Sequence, residues 1–282
     1  MQVDIILVVG AGQMGSGIAQ VAAQSGYSVY LYDIDSEALE KGKAAVIKNL
    51  DRQTEKGKLS LHEKEAALSR LNCVESLELA NKAGFVIEAA VEDMNVKAKL
   101  FTEIDTIFPK ETIFATNTSS LPITEIAAHT KRPEKFIGMH FMNPVPIMPL
   151  VEIISGQLTE DDVVEFTYET ANNMGKTPVV VNDFPGFVSN RVLMPMINEA
   201  IFCVYEGIAE PEGVDQVMKL GMNHPMGPLA LADLIGLDTC LYILEVLHKG
   251  YGDPKFRPCP LLKRYVNAGL LGKKSGRGFY TY

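Results

Sequence analysis

His140 and Glu152 are the residues of this chain whose types and spacing best suit proton transfer. His140 follows a short apolar run, Phe136 to Met139, that predicts a strand. Asn143-Pro144 and Pro146 then force a turn, and Leu150 to Ile154 predicts the next strand. Two neighbouring strands joined by this Pro-rich loop would bring His140 and Glu152 together. A carboxylate on one imidazole nitrogen fixes the tautomer and makes the other nitrogen a base near neutral pH. The same spacing also fits a core histidine with a surface glutamate.

A second constellation lies at the start of the chain. Ile5 to Val9 is a continuous apolar run, which suits a strand buried on both faces of a parallel sheet. It leads directly into Gly10-Ala11-Gly12-Gln13-Met14-Gly15 and then into the helix-like Ile18 to Gln24. In that strand–loop–helix context G-x-G-x-x-G predicts a dinucleotide site. Gly10 allows the tight turn, Gly12 the approach of a pyrophosphate and Gly15 the contact of helix with strand. The next strand, Ser28 to Tyr32, ends at Asp33, where an acidic side chain binds adenosine ribose hydroxyls. A carboxylate there repels a 2′-phosphate, and Ile34-Asp35 supplies no arginine, so NAD is favoured over NADP.

The elements that position these groups alternate in the manner of an α/β domain. Helical patterning runs from Ser36 to Arg70 with a break near Gly57. It carries Lys41, Lys43, Lys48, Arg52, Lys56 and Lys58 against Asp51 and Glu55. This local excess of positive charge is either a solvated helix face or a landing surface for a polyanionic substrate handle. Strands follow over Leu71 to Val74, Phe85 to Glu88 and Thr112 to Thr116. Glu92 and Lys97, after the second of these, either line the crevice of a doubly wound sheet or form a surface pair. Asn117-Thr118-Ser119-Ser120-Leu121, after the third, either offers small polar groups to the reacting centre or makes an ordinary helix cap.

A helix over Asp161 to Met174 and a strand over Pro178 to Val181 close the alternating pattern. Asp183-Phe184-Pro185-Gly186 then marks a boundary, giving expected domains 1–184 and 185–282. Beyond it the pattern is helical, beginning with Val188, Val192, Met196, Ala200 and Val204 at four-residue spacing. Asn190 and Arg191 fall in the first turn of that helix. The only later strand expected is the final Phe279-Tyr280. The fold class expected is α/β, a Rossmann-type doubly wound, mostly parallel sheet with an all-α C-terminal domain.

With 282 residues the chain can bury substantial cores, and its 47% hydrophobic and 22% charged residues suit a globular protein. The net charge of −9, without a basic block, argues against a nucleic-acid partner. No apolar stretch is long enough for a membrane span, and Met1-Gln2-Val3-Asp4 has no basic region ahead of its short apolar run, so no leader is expected. Cys73, Cys203, Cys240 and Cys259 are scattered without metal-ligand spacing. They are expected to be reduced packing residues of a cytoplasmic protein without structural metal. Leu193, Ile197, Ile201, Leu241, Leu244 and Leu247 make the C-terminal helices apolar on more than one face, which predicts a homodimer, or a multiple of one, through that domain.

Taken together, GAGQMGSGIAQ, NTSSLPIT, HFMNPVP, LVEII, DFPGFVSNR, HPMGPLALAD and KKSGRGFYTY resemble the L-3-hydroxyacyl-CoA dehydrogenase family over essentially the whole chain, and its bacterial 3-hydroxybutyryl-CoA dehydrogenases in particular. The resemblance implies that His140 is the catalytic base, Glu152 its partner, and Ser119 and Asn190 the groups that position His140 and the substrate oxygen. It implies an NAD fingerprint at Gly10, Gly12, Gln13, Met14, Gly15 and Asp33, with further cofactor contacts at Glu92, Lys97 and Asn117. It places Lys56 where the family contacts coenzyme A, in a helical region whose length varies. Met142 stands where some members have Phe, a difference at the pocket wall. The reaction implied is hydride transfer between C3 of an acyl-CoA and nicotinamide. Alternatives on the same fold are a longer-chain 3-hydroxyacyl-CoA dehydrogenase, an L-gulonate-type dehydrogenase without the CoA handle, and a non-enzymatic relative of the lambda-crystallin kind.

Overall fold

The computed structural model of the chain describes residues 3–282. Met1 and Gln2, on which part of the leader expectation rests, lie outside the described residues. The chain divides into two compact units, Met1–Asp183 and Phe184–Tyr282.

The first unit is built on eight strands: β1 (Ile5–Val9), β2 (Ser28–Tyr32), β3 (Leu71–Val74), β4 (Phe85–Glu88), β5 (Ile113–Thr116), β6 (Phe136–Phe141), β7 (Leu150–Ser155) and β8 (Thr177–Asn182). Their order across the sheet is β3-β2-β1-β4-β5-β6-β7-β8, and every pairing is parallel except β6 with β7. Helices α1 (Gln13–Gln24), α2 (Ser36–Glu55), α3 (Leu61–Arg70), α4 (Met94–Ile107), α5 (Ile123–Ala127) and α6 (Asp161–Asn173) complete the unit. Ile6, Leu7 and Val8 are fully buried, because β1 lies inside the sheet and has to be apolar on both faces. The chain runs outward through β2 and β3 and returns to β4 beside β1, so a crevice opens at the carboxyl ends of β1 and β4.

Two junctions follow from local chemistry. The helical stretch breaks at Gly57, whose φ is +67°, and restarts where Ser60 and Glu63 form a reciprocal capping box. The short α5, which the hydrophobic pattern did not announce, is held from far along the chain. Asp183 accepts the N–H groups of Ile123 at 3.0 Å and Thr124 at 2.7 Å.

The second unit contains α7 (Ser189–Tyr205), α8 (Pro211–Gly221), α9 (Pro228–Ile235), α10 (Leu237–Tyr251) and α11 (Pro260–Asn267). Its core gathers Ile197, Ile201, Leu237, Leu244, Leu247 and Leu262, all fully buried. Four of the six apolar residues expected to spill over into a dimer face are therefore core, and Leu193 and Leu241 pack against it. Apolar exposure lies elsewhere in the unit, at Val192, Val217, Leu220 and Met222.

The tail also departs from expectation. Phe279-Tyr280 forms no strand; the segment has only isolated bridges, Gly272 to Arg277 and Arg277 to Thr281. Its backbone donors go to a side chain instead, since the Asp233 carboxylate accepts from Phe279 at 3.0 Å and Tyr280 at 2.9 Å. No described helix is long and apolar enough to cross a membrane.

Candidate active site

β6 and β7 are antiparallel, and His140 stands directly opposite Glu152 in their register. Directly opposed residues project to the same face, so the ladder itself brings the two side chains together. His140 Nδ1 lies 2.9 Å from Glu152 Oε2. Glu152 is only 2% exposed, which removes the reading of a surface carboxylate. The neutral tautomer consistent with this contact carries its proton on Nδ1 and donates it to the carboxylate, leaving proton exchange to Nε2.

The neighbouring strand end is tied to this pair. Asn117 follows β5, and its Oδ1 accepts the N–H of Phe141, the residue after His140, at 2.8 Å. Two positions on, Ser119 enters a network centred on Glu92. Glu92 Oε1 accepts from the Thr118 hydroxyl at 2.6 Å, the Ser119 N–H at 2.9 Å and the Ser119 hydroxyl at 3.2 Å. It also accepts the Ser120 N–H at 3.2 Å. Burial opposes ionisation of Glu92, but the Lys97 ammonium and these hydrogen bonds outweigh it and hold the carboxyl below its ordinary value.

Lys97 is not the surface residue that its spacing from Glu92 allowed. It is 1% exposed, sits on the first turn of α4, and places Nζ 2.6 Å from Glu88 and 3.5 Å from Glu92. Glu88 was missed in the sequence as a site residue. It is fully buried at the carboxyl end of β4 and also accepts from the Ala90 N–H at 2.6 Å and the Thr116 hydroxyl at 2.5 Å. The signal for it was a charged residue closing the apolar run Phe85-Val86-Ile87 beside the crevice.

The crevice is a cavity of about 560 Å³ lined by Gly10, Gly12, Gln13, Met14, Asp33 and Ala90, with Tyr32, Val96 and Lys99 among its other walls. Its floor requires glycine. Gly10 has φ +99°, and a Cβ there would meet Ala89 O at 2.5 Å, while a Cβ on Gly15 would strike the carbonyl of Gly10. A Cβ on Gly12 would meet nothing within 4 Å, so the backbone there faces open space at the start of α1. A pyrophosphate fits that position, where helix N–H groups point outward. Asp33 shapes the loop by accepting the Ala11 N–H at 2.7 Å and borders the same cavity.

Two further expected residues are carried by other elements. Asn190 is buried on the first turn of α7, in the second unit. Lys56 is exposed at the C-terminal end of α2, and Lys41, Lys43, Lys48, Arg52 and Lys58 are exposed with it. Asp51 pairs with Lys64 of α3 and Lys41 pairs with Glu37, so the ion pairs leave the net positive excess along α2 as the sequence count gives it.

Similarity to known proteins extends over both units. The profile of the 3-hydroxyacyl-CoA dehydrogenase NAD-binding domain matches residues 5–184, and that of the C-terminal domain matches residues 186–282. A probable 3-hydroxybutyryl-CoA dehydrogenase of Bacillus subtilis is 61% identical over 282 residues, which are 100% of this chain and 98% of that protein. A 3-hydroxybutyryl-CoA dehydrogenase of Bradyrhizobium diazoefficiens is 52% identical over 98% of this chain and 94% of its own. The crystal structure of (S)-3-hydroxybutyryl-CoA dehydrogenase from Ralstonia eutropha superposes with a TM-score of 0.98 at 48% identity, covering 100% of this chain and 99% of that one. With both family domains matched in order and a relative 61% identical along the whole chain, this protein belongs to the 3-hydroxyacyl-CoA dehydrogenase family.

Proposed function

We propose that the chain interconverts (S)-3-hydroxybutyryl-CoA and acetoacetyl-CoA with NAD(H), and that His140 is the proton-exchanging residue. The observation that carries this reading is the buried 2.9 Å contact between His140 Nδ1 and Glu152. In oxidation, Nε2 of His140 takes the substrate hydroxyl proton, and Glu152 stabilises the imidazolium that forms. In reduction, the protonated ring returns that proton to the carbonyl oxygen. A nicotinamide dinucleotide held by the Gly-rich loop would supply the hydride acceptor in oxidation and the hydride donor in reduction. Ser119 and Asn190 orient the substrate oxygen. Gly10, Gly12, Gln13, Met14, Gly15 and Asp33 seat the dinucleotide, with Glu92, Lys97 and Asn117 fixing the strand ends beside it.

The exposed basic face of α2, including Lys56, meets the phosphates of coenzyme A. Asp33 selects NAD, because a 2′-phosphate would face its carboxylate in the same cavity. The scattered, unpaired cysteines suit the cytoplasm. The exposed Val192 of α7 and Val217 and Leu220 of α8 suit a self-complementary homodimer face. A monomer mass by light scattering at micromolar concentration, with full activity, would remove the dimer.

The decisive assay follows NADH oxidation with acetoacetyl-CoA, with longer 3-ketoacyl-CoAs, and NAD reduction with gulonate. A higher kcat/KM on a longer 3-ketoacyl-CoA would overturn the chain-length reading, and one on gulonate would overturn the acyl-CoA reading itself. Wild-type preference for NADPH over NADH would overturn the role of Asp33.

A further inference from the structure

The loop 142–149 joins β6 to β7 and so connects the strand of His140 to the strand of Glu152. Pro144, Pro146 and Pro149 deprive it of three backbone donors, and little within the loop holds it beyond the bonds from Ile147 and Met148 to Pro144 O. What fixes it comes from outside. Lys176, immediately before β8, is buried and donates its ammonium protons to Val145 O and, at 2.9 Å, to Met148 O. No carboxylate pairs with this ammonium among the described residues, and burial alone pulls its pKa below the ordinary lysine value. A cation buried on two carbonyls in this way is an uncommon arrangement, and it ties down one segment.

The far side of that segment touches the dinucleotide helix. Gln13 Nε2 donates to Asn143 Oδ1 at 3.0 Å. A Cβ added to Gly17 of α1 would come within 2.9 Å of Val145 Cβ, so helix and loop are in close contact there. The loop thus lies between Lys176 on one side and α1 on the other, with the two members of the His–Glu pair at its ends.

We infer that Lys176 is a positioning residue for the dehydrogenase reaction, a buried cation that sets the 142–149 loop and thereby the placement of the His140–Glu152 pair relative to the cofactor-binding start of α1. The inference rests on the proposed function for its activity readout, and small misplacements of reacting groups are costly on the order of tenfold to a hundredfold.

The full-length enzyme is compared with Lys176→Met, which keeps chain length but removes the charge, and Lys176→Arg, which keeps a cation. Thermal midpoint, NADH binding by fluorescence titration and steady-state kinetics are measured on each. Lys176→Met is expected to lose kcat by about tenfold or more and to bind NADH several-fold more weakly, with a small change in KM for acetoacetyl-CoA. Lys176→Arg should recover a large part of both. A purely structural lysine would lower the thermal midpoint of Lys176→Met and leave kcat per folded molecule and NADH affinity at wild-type values, which overturns the inference. Gly17→Ala covers the case in which Lys176→Met does not fold. It presses on Val145 from the opposite side while favouring the helix. It should show a loss of kcat and NADH affinity in the same direction, and unchanged values there also overturn the inference. A wild-type enzyme that binds NADH but does not turn over acetoacetyl-CoA would fault the proposed function instead, and NADH titration of the variants would still decide the role of Lys176.

Discussion

In the first unit the buried carboxylates Glu88 and Glu152 face side chains that carry or exchange a proton, Lys97 and His140. In the second unit the buried Asp215 and Asp233 face backbone N–H groups and tyrosine hydroxyls. Asp215 caps the start of α9 through Leu229 and Ala230 and accepts from the Tyr280 hydroxyl at 2.8 Å. Asp233 clasps the tail and accepts from the Tyr282 hydroxyl at 3.2 Å. Burial and then Asp215 push the Tyr280 hydroxyl well above the ordinary phenol value, and burial and Asp233 push Tyr282 up to about 12. Those hydroxyls therefore stay protonated and act as fixed donors. Burial of a carboxylate does not by itself mark chemistry; the partner decides, since a fixed amide holds structure and an imidazole can move a proton.

The largest effect that follows is on turnover. His140→Gln keeps a polar side chain opposite Glu152 but removes the base. It should reduce kcat by on the order of 10²–10⁴-fold while NADH binding survives. Glu152→Gln should also lose rate, by raising the cost of the imidazolium. Retention of more than about a tenth of wild-type kcat by His140→Gln, measured at saturating substrate, contradicts the assignment of the base.

The second unit should give the opposite pattern. Asp233→Ala strips the acceptor from two backbone N–H groups and the Tyr282 hydroxyl. The expected cost is about 2–4 kcal/mol of stability, read from denaturant midpoints. The kcat of the folded fraction should stay within about twofold, because nothing that exchanges a proton is touched. A large loss of kcat at full folding would erase the distinction between the two kinds of carboxylate.

How far this distinction was legible in the sequence depends on the range of the contact. The strand, G-x-G-x-x-G and helix succeed one another along the chain, so backbone sterics and phosphate geometry could be read locally. His140 and Glu152 belong to strands joined by one short loop, so their meeting needed only the inference of a hairpin. Lys97 was harder. Its spacing from Glu92 fits a surface pair, and only the return of β4 beside β1 buries it against Glu88. Asp183 capping α5 and Asp233 holding the tail were not readable, because carboxylates that find backbone donors 60 or 46 positions away leave no periodic trace. The expected strand at Phe279-Tyr280 failed for the same reason. Its aromatic residues suit a strand, but its donors were already engaged by Asp233.

Glu92 stands between the two kinds of carboxylate and supplies the smallest and most discriminating test. Like Asp233 it accepts backbone N–H groups, those of Ser119 and Ser120, and like Glu88 it faces Lys97. Its folded pKa lies below the ordinary glutamate value, so its ionised form contributes stability above that value, and the contribution is lost as pH falls through the lowered one. Glu92→Gln keeps an oxygen for the serine N–H groups but removes the charge opposite Lys97. At pH 7 the variant should be less stable by on the order of 1 kcal/mol, since Glu88 still pairs with Lys97. The gap should narrow as pH falls below the ordinary glutamate range and through the lowered value, where the wild type takes up the proton that the variant cannot. Denaturant midpoints of both proteins across that range give the answer. A gap that stays constant down to the acid end would place Glu92 with Asp233, as a backbone acceptor whose charge is incidental, and a closing gap places it with Glu88 in the charged cluster around Lys97.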